Sequence, residues 1–185
     1  MSNWRPEFNP EHLYFVTTKA VGYTHLFKRD LTKRLLIDTL DCMHLRQQLT
    51  LYAFVIMPNH IHLIARFLSE KPLRDWIRDY KKHVADRLIR HYQVENNQQV
   101  LNFLAAKVTR PDKQKYKVWE DGYNAKDVFS PEFLRQKIEY IHNNPCQSHW
   151  GLVTNPAEYI WSSARFYLTD QPAIIPIEDA RGLMI

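Results

Sequence analysis

Two short groups of residues carry the chemistry in this chain. The first is His60-Ile61-His62, within the run VIMPNHIHLIARF. Alternate residues of a strand share a face, so the two imidazoles project together, about 7 Å apart along the backbone. Side by side they can ligate one divalent ion: Mn²⁺, Zn²⁺ or Fe²⁺, and Mg²⁺ where oxygens complete the shell. The pair equally describes half-buried histidines with ordinary hydrogen bonds, and only a third ligand separates the two readings. The second group lies in EYIHNNP. Tyr140 and Asn144 stand one helical turn apart and can aim a hydroxyl and a carbonyl oxygen at one point. Gln136 falls on the same face, whereas Leu134, Ile138 and Ile141 form the core-facing stripe. A phenol is a poor nucleophile at neutral pH unless an adjacent cation favours its ionised form. A rim tyrosine capping nearby backbone fits the same spacing. His142 points away from the Tyr140 face and reads as structural.

The elements that must position these groups follow from periodicity. His12 to Thr18 is rich in aromatic and β-branched residues and reads as a first strand. Asp30 is a good N-cap for an amphipathic helix to about Leu49, with Leu31, Leu35, Leu36, Leu40 and Met43 at helical spacing. Leu51 to Met57 is the densest apolar run and suits a central strand. Pro58-Asn59 turns the chain into a strand over His60 to Phe67, giving an antiparallel hairpin whose Ile61, Leu63, Ala65 and Phe67 face the core. Pro72 opens a helix over Leu73 to His91. Residues 94–115 show no clear period. Tyr116 to Trp119 reads as a short strand before the Asp121-Gly122 turn. Ser130 caps a third helix with Pro131 at its first position, ending before Pro145. The order predicts an α+β fold built on an antiparallel sheet. Residues 1–170 read as one domain and 171–185 as a C-terminal tail wrapped on the surface.

Composition narrows the function classes. Hydrophobic content of 45% with 13% aromatics excludes a disordered chain. Only 4 Gly against 10 Pro argues against a glycine-rich nucleotide loop. Cys42 and Cys146 make no disulfide framework. No stretch is long and apolar enough to span a membrane, and MSNWRPEF lacks the apolar core of a signal peptide, so a soluble cytoplasmic protein is expected. The charge of +5 is concentrated. Over residues 71–92, seven basic residues against three aspartates leave +4. Lys71, Arg74, Arg78, Lys81 and Lys82 cluster on one flank of the helical wheel, Asp75, Asp79 and Asp86 on another, and Leu73, Trp76, Ile77, Tyr80 and Val84 on the buried stripe. A segregated cationic flank suits phosphate tracking better than an ordinary solvated face does. Trp76 and Trp119 read as core residues.

Taken together, these segments resemble a known family. VIMPNHIHLIARF resembles the HUH signature (His, bulky apolar residue, His) of single-tyrosine transposases. EYIHNNP followed by GLV, and later WSSARFY, resembles the REP-associated tyrosine transposase group within that superfamily. The resemblance spans about residues 10 to 167. It implies a ferredoxin-like antiparallel sheet with packed helices, His60, His62 and Asn144 as ligands of a divalent metal (Mg²⁺ or Mn²⁺), and Tyr140 as nucleophile. The implied chemistry is cleavage and rejoining of single-stranded DNA beside a hairpin such as a REP-like palindrome, through a 5′-phosphotyrosine bond and a free 3′-OH. A bacterial, nucleoid-associated monomer or homodimer is implied as well. The chain departs from the family's more usual small or aliphatic residues at Cys146-Gln147-Ser148-His149-Trp150. A domesticated protein that binds DNA hairpins without cutting is the alternative. An RNA-binding ferredoxin-like domain is disfavoured, because neither candidate strand offers an aromatic ribonucleoprotein motif.

Overall fold

A computed structural model describes residues 8–68 and 73–185. In chain order the elements are β1 (Leu13–Lys19), α1 (Asp30–Leu45), β2 (Leu49–Ile56), β3 (His60–Phe67), α2 (Leu73–Val94), α3 (Gln98–Ala106), β4 (Asn124–Val128), α4 (Pro131–Asn143) and α5 (Ala164–Thr169). The strands lie in the order β2-β3-β1-β4, every neighbouring pair antiparallel. This is the ferredoxin-like α+β arrangement: β3 sits between β1 and β2, and α1 crosses over to join them.

Residues directly opposite one another in an antiparallel pair share a face. Thr17 lies opposite His62 and Lys19 opposite His60, while Asn124 and Lys126 of β4 lie opposite Thr17 and Phe15. One face therefore carries the histidines among polar and cationic neighbours. Tyr14, Val16, Ile61, Leu63, Ala65 and Phe67 occupy the other face and are buried. On that apolar face the α2 ring of Trp76 meets Phe67 edge-on at 4.8 Å and stacks on Tyr80, whose hydroxyl donates to the Leu36 carbonyl of α1 at 3.3 Å. Helix α4 packs across β2 and β3. The sheet is thus sandwiched, with α1 and α2 on its apolar side and α4 on the histidine side.

Several elements differ from the sequence reading. Asp30 is the first residue of α1 rather than its cap; its carboxylate instead accepts from Trp161 Nε1 at 3.0 Å and pairs with Lys33. Residues 94–115 contain α3, capped by Asn97, whose Oδ1 accepts from the Val100 amide at 3.2 Å. The fourth strand forms after the Asp121-Gly122 turn, because the outer edge of β1 pairs with Asn124–Val128. Before the turn only an isolated Ala20–Trp119 bridge forms. Most useful to the sheet, Trp161-Ser162-Ser163 covers the edge of β2. The Ile56 amide donates to the Trp161 carbonyl at 2.9 Å, the Ser163 amide to the Phe54 carbonyl at 3.0 Å, and the Phe54 amide to Ser163 Oγ at 3.0 Å. An otherwise open edge is closed. The tail continues along this edge: the Glu178 amide donates to the Leu51 carbonyl at 2.8 Å, and Ile175 and Ala180 are buried. Residues 171–185 therefore pack into the domain. Lys71 and Pro72 lie outside the described residues. Among the described residues no helix is long and apolar enough to cross a membrane.

Buried phenols couple this core to alkaline pH. Burial raises Tyr80 and Tyr159 well above the ordinary phenol range, and Tyr167 to about 12. Above pH ~10 the unfolded chain releases phenolic protons that the native state retains. Native protons then outnumber unfolded ones, so stability falls as pH rises. The urea midpoint should drop between pH 9 and 11, with the tyrosinate absorbance of these residues emerging together with unfolding. A midpoint constant across that range would contradict this account.

Candidate metal and nucleophile site

His60 opens β3, and the ring centroids of His60 and His62 are 4.6 Å apart. Each imidazole is held from its Nδ1 side. His62 Nδ1 meets the Thr17 hydroxyl at 2.7 Å, and His60 Nδ1 lies 2.6 Å from Asn59 Oδ1. Asn59 Nδ2 is committed to the Tyr23 carbonyl at 3.1 Å, so Oδ1 faces His60 and can only accept. His60 Nδ1 therefore carries the proton and Nε2 the lone pair. In the matching tautomer His62 presents a bare Nε2, which is buried and has no hydrogen-bond partner.

Electrostatics keep both rings neutral near pH 7. Burial lowers His60 to about 4, with Lys19 and His149 adding repulsion. His62 falls well below the ordinary value, chiefly through burial and further through His60, Lys19 and Lys137. Neutral imidazole is the form that binds a metal.

The other half of the site comes from α4. Ser130 Oγ accepts from the Phe133 amide at 3.2 Å and Pro131 fills the first turn, which starts the helix where the sequence placed it. Ile138 and Ile141 bury the core stripe, while Tyr140, partly exposed, sits against the histidine face of the sheet. Its ring meets His62 edge-on at 5.2 Å and Phe15 at 6.0 Å. Asn144 closes the helix; it is 2% exposed, and its Oδ1 is a second buried polar atom without a partner. His142 faces the opposite way, as expected, with Nε2 2.9 Å from Ser163 Oγ.

His60, His62, Tyr140 and Asn144 line one cleft of about 530 Å³, together with Phe15, Thr17, Lys19, Lys126 and Lys137. No carboxylate is among the lining residues. Lys137 Nζ stands 5.7 Å from the Tyr140 ring centroid. Among the described residues no group of three His, Cys, Asp or Glu side chains forms a metal site. The donor set here is different: two imidazole Nε2 atoms and one carboxamide oxygen. Buried and unpartnered, His62 Nε2 and Asn144 Oδ1 are the atoms a divalent cation would satisfy. Mixed nitrogen and oxygen donors suit Mn²⁺, Zn²⁺ or Fe²⁺, and Mg²⁺ where further oxygens complete the shell. The residues fit the ion.

The predicted cationic flank lies elsewhere. It belongs to α2, in the layer behind the apolar face of the sheet. Arg78 is ion-paired to Asp75 at 2.8 Å and Asp79 at 2.9 Å. Lys81 donates to the carbonyls of Glu120 and Gly122 at 2.7 and 2.8 Å, and burial lowers it to about 8. Arg74 and Lys82 keep exposed side chains. Gln136 is exposed and does not line the cleft. In its place stands Lys137, three residues before Tyr140, a helical spacing that could have revealed it. Lys19 and Lys126 needed the strand pairing, and Thr17 had no local signal.

No protein-family model matches the chain, and no curated protein matches it. A REP-associated tyrosine transposase solved bound to a REP hairpin aligns over 97% of this chain and 93% of its own, with a TM-score of 0.60 and 17% identity. The fold implied by the HUH-like and EYIHNNP segments is thus the fold observed. A Deinococcus radiodurans protein assigned only provisionally as a transposase aligns over 77% of this chain and 97% of its own, with 20% identity and a TM-score of 0.46.

Thr17→Val tests the support of His62. Valine suits a strand and matches threonine in shape, so the fold should persist, but His62 Nδ1 loses its partner. Mn²⁺ affinity by titration calorimetry should fall about 10- to 100-fold, the usual cost of removing such an orienting bond. Unchanged affinity would show that Thr17 does not orient the ring.

Proposed function

We propose that the protein is a metal-dependent tyrosine transposase or endonuclease that cleaves and rejoins single-stranded DNA beside a hairpin. The observation that carries this reading is the convergence of His60, His62, Asn144 and Tyr140 in one cleft lined by lysines and no carboxylate. A polyanionic backbone is the substrate class such a cleft accepts.

A divalent cation held by His60, His62 and Asn144 would supply Lewis-acid polarisation of the scissile phosphate. Tyr140 is the group placed to attack. Its oxygen bonds to phosphorus, the 3′-oxygen leaves, and the phenolic proton ends on the released 3′-OH. The 5′ side stays joined to the enzyme as a phosphotyrosine. One phosphodiester bond replaces another, so a second 3′-OH can reverse the step without an energy source. Lys137 stands beside the Tyr140 ring as a cation for the scissile phosphate, and burial with Lys126 nearby lowers its own pKa. Lys19 and Lys126 hold phosphates entering the cleft. Lys82, outside it, would meet hairpin phosphates, as would Arg74 despite its long pairing with Asp75 at 3.8 Å, whereas Arg78 and Lys81 are tied closely to partners within the protein. The hairpin itself is inferred from the transposase solved with one.

Tyr140→Phe separates an enzyme from a binder. The ring and the metal ligands remain, so binding of a single-strand-flanked DNA hairpin should stay within roughly tenfold, about 1.4 kcal/mol. Covalent adducts, read by denaturing gel with Mn²⁺, should vanish. Persistent cleavage in this variant would move the chemistry to another group, and a wild type that binds hairpins without ever forming an adduct would favour the non-cutting alternative. Separately, His60→Ala/His62→Ala should abolish Mn²⁺ binding with the fold intact; undiminished affinity would remove the metal site.

A further inference from the structure

We propose that Tyr23 is a stacking platform for one base of the strand in the cleft, with Lys19 beside it as the cation for the adjoining phosphate. The inference rests on the single-strand reading above.

Tyr23 is 60% exposed, although an aromatic ring contributes most to a fold when buried. It sits in the left-handed region at φ 54°, directly after Gly22 at φ 62°. Glycine adopts that conformation freely, asparagine tolerates it, and a bulky side chain rarely does. Core packing therefore does not account for a tyrosine here. Its place relative to the cleft does.

The turn is anchored on several sides. The Gly22 amide donates to Glu120 Oε1 at 2.6 Å, the Tyr23 amide to the Ala20 carbonyl at 3.1 Å, and the Thr24 amide to the Val21 carbonyl at 3.3 Å. The Tyr23 carbonyl accepts from Asn59 Nδ2, and Asn59 Oδ1 in turn accepts from His60 Nδ1. One side-chain amide thus fixes both the Tyr23 backbone and the His60 ring, which sets the aromatic ring at a defined offset from the metal ligands.

Two clefts meet at this residue. Tyr23 lines the metal and nucleophile cleft, and also a neighbouring one of about 420 Å³ bounded by Thr17, Lys19 and residues 120–125. A strand running from one to the other passes Tyr23. Lys19 Nζ lies 5.0 Å from the ring centroid. An exposed aromatic face next to a cation is the arrangement that holds single-stranded nucleic acid, since any base can stack while the phosphate pairs with the charge.

The test compares the full chain and two variants on two probes by fluorescence anisotropy: an oligo(dT) octamer and an abasic phosphodiester octamer. Wild type should prefer oligo(dT) by roughly 5- to 100-fold. Tyr23→Phe keeps the ring and should keep the preference. Tyr23→Asn suits the left-handed backbone, so its melting temperature should hold or rise, yet the preference should collapse with abasic affinity unchanged. Retention of the preference in Tyr23→Asn, or an equal loss on both probes, would overturn the platform. Wild type binding neither probe would overturn it too. The Tyr140 adduct assay reads the cleavage chemistry independently, so adducts formed by wild type alongside an unaltered Tyr23→Asn preference would refute the platform alone.

Discussion

The alignment of β1 against β3 is the constraint on which the site depends. It sets Thr17 against His62 and Lys19 against His60. A slip of one residue would send both histidines to the apolar face and bring Ile61 and Leu63 into the cleft. The apolar face resists that slip. Tyr14, Val16, Ile61, Leu63, Ala65 and Phe67 are all buried beneath α1 and α2, so misalignment would exchange a packed layer for polar side chains. Hydrophobic burial on one side of the sheet thereby fixes hydrogen bonding on the other. The Thr17 hydroxyl at His62 Nδ1 is a by-product of that alignment, and it holds the ring with Nε2 toward the cleft side, without a partner.

Helix α4 is placed by a second set of contacts. Its buried stripe of Leu134, Ile138 and Ile141 sets the rotation, while His142 bonded to Ser163 ties its end to the segment that closes the β2 edge. Three consecutive residues, Trp161 to Ser163, thus complete the sheet and hold the helix that carries Tyr140 and Asn144. The clamp also reaches α1 through the Trp161–Asp30 bond. Residues far from the cleft therefore determine how Tyr140 stands over the histidines.

Much of this was legible in the sequence, for reasons tied to particular residues. The hairpin around Pro58-Asn59 and the bounds of α4 follow from strong local signals: a dense apolar run, a turn dipeptide, and a Ser-Pro helix start. The HxH spacing and the Tyr-to-Asn turn are equally local, and these four residues do converge. β4 was missed because Asn124–Val128 is polar and short, and is a strand only by virtue of the β1 edge beside it. The cationic wall of the cleft was missed for a related reason. Lys19 and Lys126 lie on different strands, and only the pairing brings them to one place. On α2 the wheel separated the arginines from the aspartates by angle, but long side chains bridge such angles, and Arg78 reaches both Asp75 and Asp79. Trp161 to Ser163 carried no derivable chemistry because its role is to complete a neighbouring strand.

The pairing of β1 with β4 has a consequence for how the chain is made. Thr17 waits for Asn124, and the cleft also needs Tyr140, Asn144 and the Ser163 clamp. Chains leave the ribosome from the N-terminus, and contacts of such sequence separation form late. The β2–β3 hairpin with α1 and α2 can pack while synthesis proceeds, and His60 and His62 are then present without the helix that completes the site. A partly synthesised chain therefore lacks α4 and with it one wall of the cleft, which is complete only once translation has passed Ser163.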